Sequence, residues 1–419
     1  MRIEIICTGD EVLTGKIVNS NFSYMAQRLE DVGIDVVWGT TVGDDRATLL
    51  DSFVRAGSRA DCVIVNGGLG PTVDDLSQEV AAEAAGVSLA MDEAWLGRME
   101  AFFERRGRTM SLNNRKQAML PVGSEVLDNP IGTACGFALD IGRARFFFTP
   151  GVPRELRRML EEQIVPRLLA RSGAGTTITL KRFHCYGLGE SHVDQMLTGI
   201  EALSPGVKLG FRAHYPQIET KITVRGRDAD EVAARLAPVQ AEVRRRLGNF
   251  ILAEDGETLE GVVTGALAGM GGTLALVETF TAGQIAGRLF HLPGAEAVMR
   301  RAVVARAPGE VFAAVGLKDS GGGFSVAMAE AVAEAARRGC GATHAMAVLI
   351  ALDEGEDRID TGGSIEIAIA TADGVTSRTA RILGGRDWVR LGAVEMALDC
   401  LRRLLQGLPV YERTDFEKN

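Results

Sequence analysis

CVIVNGGLGPTVDD, residues 62–75, runs from a short apolar block straight into a glycine-rich turn. Cys62–Val65 shows no polar alternation, the pattern of a strand buried on both faces. Gly67, Gly68 and Gly70 then let the backbone approach a ligand closely and adopt positive φ. A helix is expected to follow over Asp75–Ala85. Its first turn would present free N–H groups and the positive end of the helix dipole. Strand, glycine turn and helix in that order build parallel α/β sheets, which bind ligands at the carboxyl edge of their strands.

The flanking sequence repeats the alternation. Arg2–Thr8 and Ile34–Thr41 read as strands, and Ser20–Val32 and Arg46–Ala56 as amphipathic helices. Asn19 is placed to cap the first helix, Gly33 to end it and Gly57 to end the second. Phe146–Phe148 is a further strand, with a helix expected from Pro153 to Leu169. The fold class is therefore α/β. The N-terminal domain, residues 1–170, is a three-layer parallel sheet with right-handed crossovers. SGAGTT at 172–177 reads as a linker. Residues 176–255 form a small α+β unit, and 257–415 return to an α/β pattern.

Composition narrows the function. Apolar residues are 46% and charged residues 24%, the profile of a globular protein. A net charge of −9 argues against a general attraction to duplex DNA or an anionic membrane. The longest uncharged stretch, Gly261–Val277, is shorter than the roughly 20 residues of a membrane span and is cut by three glycines. The six cysteines form no C-x-x-C pair and read as buried thiols of a reducing compartment. His184 and His192 fit no metal motif. A cytoplasmic location is expected, without a membrane partner.

Chemistry-bearing residues fall in loops expected on one sheet edge: Thr8-Gly9-Asp10-Glu11, Asn19-Ser20-Asn21, Gly43-Asp44-Asp45 and the glycine turn with Leu69, Thr72, Asp74 and Asp75. Thr72 and Asp75 have the spacing of a loose capping box. A cap needs neither three glycines nor a second carboxylate. Two acids beside a phosphate would repel it unless a cation lay between them. Convergence of Glu11, Asp44, Asp74 and Asp75 therefore favours a divalent cation of unspecified identity held by hard oxygen ligands.

TGDEVLTGKIVNSN at residues 8–21, TVGDD at 41–45, GGLGPTVDD at 67–75, NRKQAMLP at 114–121 and FTPGVPREL at 148–156 resemble the CinA family in motif and order. The resemblance implies a first domain similar to molybdopterin-binding domains, a KH-type middle domain and a nicotinamide-mononucleotide-deamidase-type last domain. For the first domain it implies an ADP-ribose pyrophosphatase, cleaving ADP-ribose to AMP and ribose 5-phosphate with a metal ion. Asp44, Asp74 and Asp75 are then the expected catalytic groups, and Asp44, Asp75 and Glu11 the metal ligands. Thr8, Gly9, Asn21, Gly67, Gly68, Leu69, Gly70, Thr72 and Arg115 would bind the nucleotide diphosphate. Non-hydrolytic binding of a nucleotide or molybdopterin is the alternative. A homodimer is expected, and nucleic acid is not: Gly187-Leu188-Gly189-Glu190 is not an RNA-clamping G-x-x-G loop, and Arg244-Arg245-Arg246 can serve a helix end.

The last domain departs from the family pattern A-E-S-C-T-G-G. Here Glu278, Thr281 and Gly283 match, while Thr279 stands at the serine nucleophile. The tyrosine position falls at Arg306 and the lysine position at Val311. Leu349–Glu356 replaces a glycine-rich stretch with bulky and acidic residues. A hydroxyl without an adjacent base is a weak nucleophile. The expectation is a retained scaffold without deamidase activity.

Overall fold

The computed structural model describes residues 1–172, 177–318, 321–353, 355 and 361–418. The expected linker therefore lies mostly outside the described residues, as do Glu354 and Glu356. The chain forms two compact units, residues 1–180 with 225–229, and residues 181–224 with 230–419.

In the first unit, β1 (Ile3–Thr8) lies between β2 (Val36–Val42) and β3 (Cys62–Asn66), parallel to both. The helices α1 (Ser20–Asp31) and α2 (Arg46–Arg59) make the crossovers. Because strand side chains alternate, the two faces of β1 enter different cores. Ile3, Ile5 and Cys7 pack with Met25, Leu29 and Leu156, whereas Ile6 joins Leu49, Phe53 and Val80. The sheet then departs from the all-parallel expectation. Two strands unread in the sequence, β4 (Glu125–Leu127) and β5 (Gly136–Ile141), pair antiparallel beyond β6 (Ala144–Thr149), which runs parallel to β3.

Three local details differ for physical reasons. Gly57 does not end α2: it is buried, and an added Cβ would lie 2.6 Å from the Ile141 carbonyl oxygen, so glycine permits close packing on β5. The helix after β6 is broken into Pro153–Met159, a π turn at Leu160–Ile164 and Val165–Arg171. Pro166 has no N–H for the ladder there. The third helix, α3, is Ser77–Ala85, so Asp74 and Asp75 lie in the turn before it. Asn19 caps α1 as expected, accepting from Phe22 N at 3.0 Å.

Two further large sheets follow along the chain. Four strands, in the spatial order Val207–His214, Gln217–Gly226, Thr177–Tyr186 and Ile251–Glu254, pack against helix Ala229–Leu247. The basic run at that helix end is neutralised: Arg244 pairs with Glu254, and Arg245 and Arg246 with Glu242. In the five-stranded sheet, β7 (Leu274–Glu278) runs parallel to β8 (Met299–Val304) and β9 (His344–Leu352). Strands Gly362–Ala370 and Val375–Leu383 continue it antiparallel. No helix among the described residues is long and apolar enough to cross a membrane.

Candidate functional site

The carboxyl edge of β1, β2 and β3 carries a cleft of about 400 Å³. Thr8, Gly9, Glu11, Asp44, Gly67, Gly68, Leu69, Gly70, Asp74 and Asp75 all line it, so the sheet brings together ten of the expected site residues. Glycine is required at two of these positions. Gly67 has φ +113°, and a Cβ there would meet the Thr8 hydroxyl at 2.5 Å; at Gly68, φ +69°, it would meet Ser77 Oγ at 2.4 Å.

Thr8 is 6% exposed, and its hydroxyl oxygen is buried without a hydrogen-bond partner. A buried hydroxyl left unpaired costs free energy. At a cleft wall it is a group that a ligand can satisfy. Asn66, by contrast, is fully engaged: its Nδ2 donates to Thr149 Oγ1 and Pro150 O, and its Oδ1 accepts from Asn21. Asn21 thus stands behind the cleft as a brace and also donates to Gly151 O at 2.7 Å.

The acids are arranged for turns. Asp75 Oδ2 accepts from both the backbone N (2.9 Å) and the hydroxyl of Thr72. Asp44 and Asp10 exchange bonds, each carboxylate accepting from the other residue's backbone N at 3.1 and 3.2 Å. Burial pushes the Asp44 carboxyl upward, with a further upward push from the Asp10, Glu11 and Asp74 charges. Among the described residues no group of three His, Cys, Asp or Glu is placed to hold a metal ion. One oxygen of Asp75 and one of Asp44 thus hold neighbouring turns.

Arg115 is exposed and does not line the cleft. Its neighbours do the work: Gln117 Nε2 donates to Leu69 O at 3.2 Å, and Lys116 Nζ donates to Thr72 O at 3.1 Å. Gln117 and Glu155 line the cleft and were missed, since nothing in their local sequence sets them apart from a solvated helix face.

The second edge lies where β7 ends. Glu278 is fully buried, its carboxylate accepting from Thr281 Oγ1 (2.8 Å), Ile285 N (3.1 Å) and Ala286 N (2.8 Å). It neutralises the start of helix Gln284–Phe290. The Thr279 hydroxyl accepts from Ile350 N at 3.0 Å and donates to Val348 O at 3.3 Å. Ala305 N donates to Glu278 O, which brings Arg306 beside this turn, its guanidinium 5.7 Å from the Phe280 ring centre. Val311 is buried in the core. Leu349 and Ile350 also belong to the core, and Asp353 pairs with Arg381 at 2.6 Å.

Three family models match the chain: a probable molybdopterin binding domain over residues 4–170, the damage-inducible protein CinA KH domain over 180–253 and the CinA C-terminal domain over 256–405. A CinA-like protein of Shewanella sediminis is 38% identical over 97% of this chain and 96% of its own length. A Shewanella oneidensis protein named nicotinamide-nucleotide amidohydrolase PncC is 37% identical with the same coverages. A crystal structure of CinA from Thermoplasma acidophilum, described as of unknown function, is 32% identical over 38% of this chain and 94% of that one, with a TM-score of 0.36.

Two expectations are thereby corrected. ADP-ribose hydrolysis finds no support: the relative that carries an activity in its name is an amidohydrolase. Loss of the deamidase conflicts with the same relative and with the C-terminal match. The expectation of a lost deamidase rests on Arg306 and Val311 at the base positions and on the Leu349–Glu356 stretch taken together, while the Thr279 hydroxyl and the Glu278–Thr281 brace persist.

Proposed function

This chain belongs to the CinA family, and on that footing we propose that it hydrolyses the carboxamide of a nicotinamide nucleotide in its last domain. The end-to-end identity with the Shewanella oneidensis amidohydrolase carries this reading. The Thr279 hydroxyl is the nucleophile, since it stands at the carboxyl end of a parallel strand on a turn fixed by Glu278. Attack requires its hydroxyl to leave the Val348 carbonyl and turn toward the substrate carbon. The Thr279 oxygen bonds to the carboxamide carbon, the amide nitrogen takes up the hydroxyl proton and departs as ammonia, and water then cleaves the Thr279 ester to release the nicotinate nucleotide. The test is ammonia release from nicotinamide mononucleotide by the full chain. Thr279→Ala should lose about a thousandfold or more. An unchanged rate in that variant rejects Thr279, and no release by the natural chain rejects the activity.

A second reading is favoured by the orphaned Thr8 hydroxyl: the first domain binds a phosphorylated heterocycle. Backbone N–H groups of the glycine turn suit a phosphate, and the carboxylates suit the amino and ring N–H donors of a pterin-type edge. Thr8→Val should weaken binding of a phosphorylated pterin about tenfold, measured by calorimetry; equal affinity would refute it. The six free thiols support a reducing, cytoplasmic setting.

A further inference from the structure

The first unit has a second concavity, of about 300 Å³, behind the loop that closes the glycine-turn cleft. Its walls include Trp95, Arg98, Phe102 and Arg105 from helix α4 (Glu93–Glu104) and the turn that ends it, with Asn129 and Pro130 opposite. That volume sits at the lower end of small-molecule sites, which span about 300–1,000 Å³.

Charge distinguishes it. In a chain of net charge −9, residues 98–108 carry four arginines against two glutamates. Arg98 pairs with Asp128 at 2.6 Å. Arg105, Arg106 and Arg108 form no ion pair among the described residues, and all three are exposed. A helix C-terminus is complemented by a cation in its last turn. Three guanidiniums without acids exceed that requirement, and one of them, Arg105, lines the aromatic pocket. The rings are in place as well: Arg106 lies 3.7 Å above one face of Phe102, and Trp95 is fixed by donating from its indole to Thr133 O at 2.9 Å.

The opposite wall is rigid. Asn129, 2% exposed, accepts from Ile131 N and Gly132 N through Oδ1. Through Nδ2 it donates to Ala134 O and to Glu155, both at 2.7 Å. Thr133 and Ala134 line the glycine-turn cleft, so this loop is a party wall between two cavities.

We propose that this pocket is a second ligand site, taking a planar ring that carries a phosphate, the class of a nucleoside monophosphate. The ring lies against Phe102, and the phosphate is held by the Arg105 guanidinium. Aromatic stacking supplies sequence-tolerant affinity, and the guanidinium fork suits phosphate geometry.

The experiment titrates the full chain with guanosine monophosphate at low salt and reads Trp95 fluorescence. Saturable quenching is expected, lost in Trp95→Phe. Guanosine alone and inorganic phosphate alone should each bind about tenfold more weakly, as should the nucleotide to Arg105→Ala, with Arg105→Lys intermediate. Arg105 is exposed and unpaired, so its removal leaves the fold intact. Thr8→Val, in the other cleft, should leave the quenching unchanged. Equal affinity in Arg105→Ala, or quenching abolished by Thr8→Val, overturns the site. So does quenching by a single-stranded oligonucleotide under conditions where the mononucleotide gives none.

Discussion

Asp75 offers the sharpest test of how the glycine turn is held. Its carboxylate takes the Thr72 amide at 2.9 Å and the Thr72 hydroxyl, closing the loop from Gly70 to the start of α3. Replacement by alanine removes both acceptor contacts. A cap-like acceptor at such a position is worth about 0.5–2 kcal/mol, so local opening should become about 5–30 times easier for a loss of 1–2 kcal/mol. Amide hydrogen exchange at Thr72 should accelerate by that factor in Asp75→Ala, while strand β3 amides keep their protection. Asp75→Asn retains a carbonyl acceptor and should lie near the natural protein. The unfolding midpoint of the first unit should fall by roughly 2–4 °C per kcal/mol. Divalent cations at millimolar concentration should not shift either quantity. Unchanged Thr72 exchange in Asp75→Ala, or a cation-induced stabilisation that vanishes in that variant, would refute the turn-holding role and restore a metal ligand.

Other expectations follow from the same geometry. The Asp44 carboxyl titrates above its ordinary range, so it loses its charge before an exposed aspartate does as pH falls. Binding of a phosphate-bearing ligand to the cleft should therefore strengthen as Asp44 protonates, and Asp44→Asn should remove that contribution from the profile; the check is calorimetry across pH. Burial raises the Cys135 and Cys185 thiols to about 12 and Cys400 to about 11. Iodoacetamide at pH 8 should thus label Cys340, the half-buried one, ahead of the other five, which react once the chain is unfolded in urea. Gly57→Ala, with its Cβ 2.6 Å from a backbone oxygen, should cost about 1–3 kcal/mol in denaturant unfolding.

Much of this was legible in the residues. The order β1, α1, β2, α2, β3 follows from apolar periodicity and from Asn19 as a cap, both local signals. Convergence of Thr8, Asp44 and the glycine turn followed from topology, because loops after parallel strands share one edge. The reading failed where a side chain's partner is distant in sequence or belongs to the backbone. Asp75 has one appearance in sequence whether it faces a cation or folds onto Thr72. Gln117 reaches Leu69 across 48 positions, which no local pattern encodes. Gly57 looked like a helix stop because its true constraint, the Ile141 carbonyl, lies on a strand the pattern did not announce.

The buried Glu278 has a practical consequence. Helix Gln284–Phe290 begins with its own resident counter-ion, hydrogen-bonded three times over and sealed from solvent. Sulfate or citrate from a crystallisation drop has no vacancy to enter there. Buffer composition should leave this end of the last domain unaltered, and any oxyanion density in its crystals should sit at arginines instead.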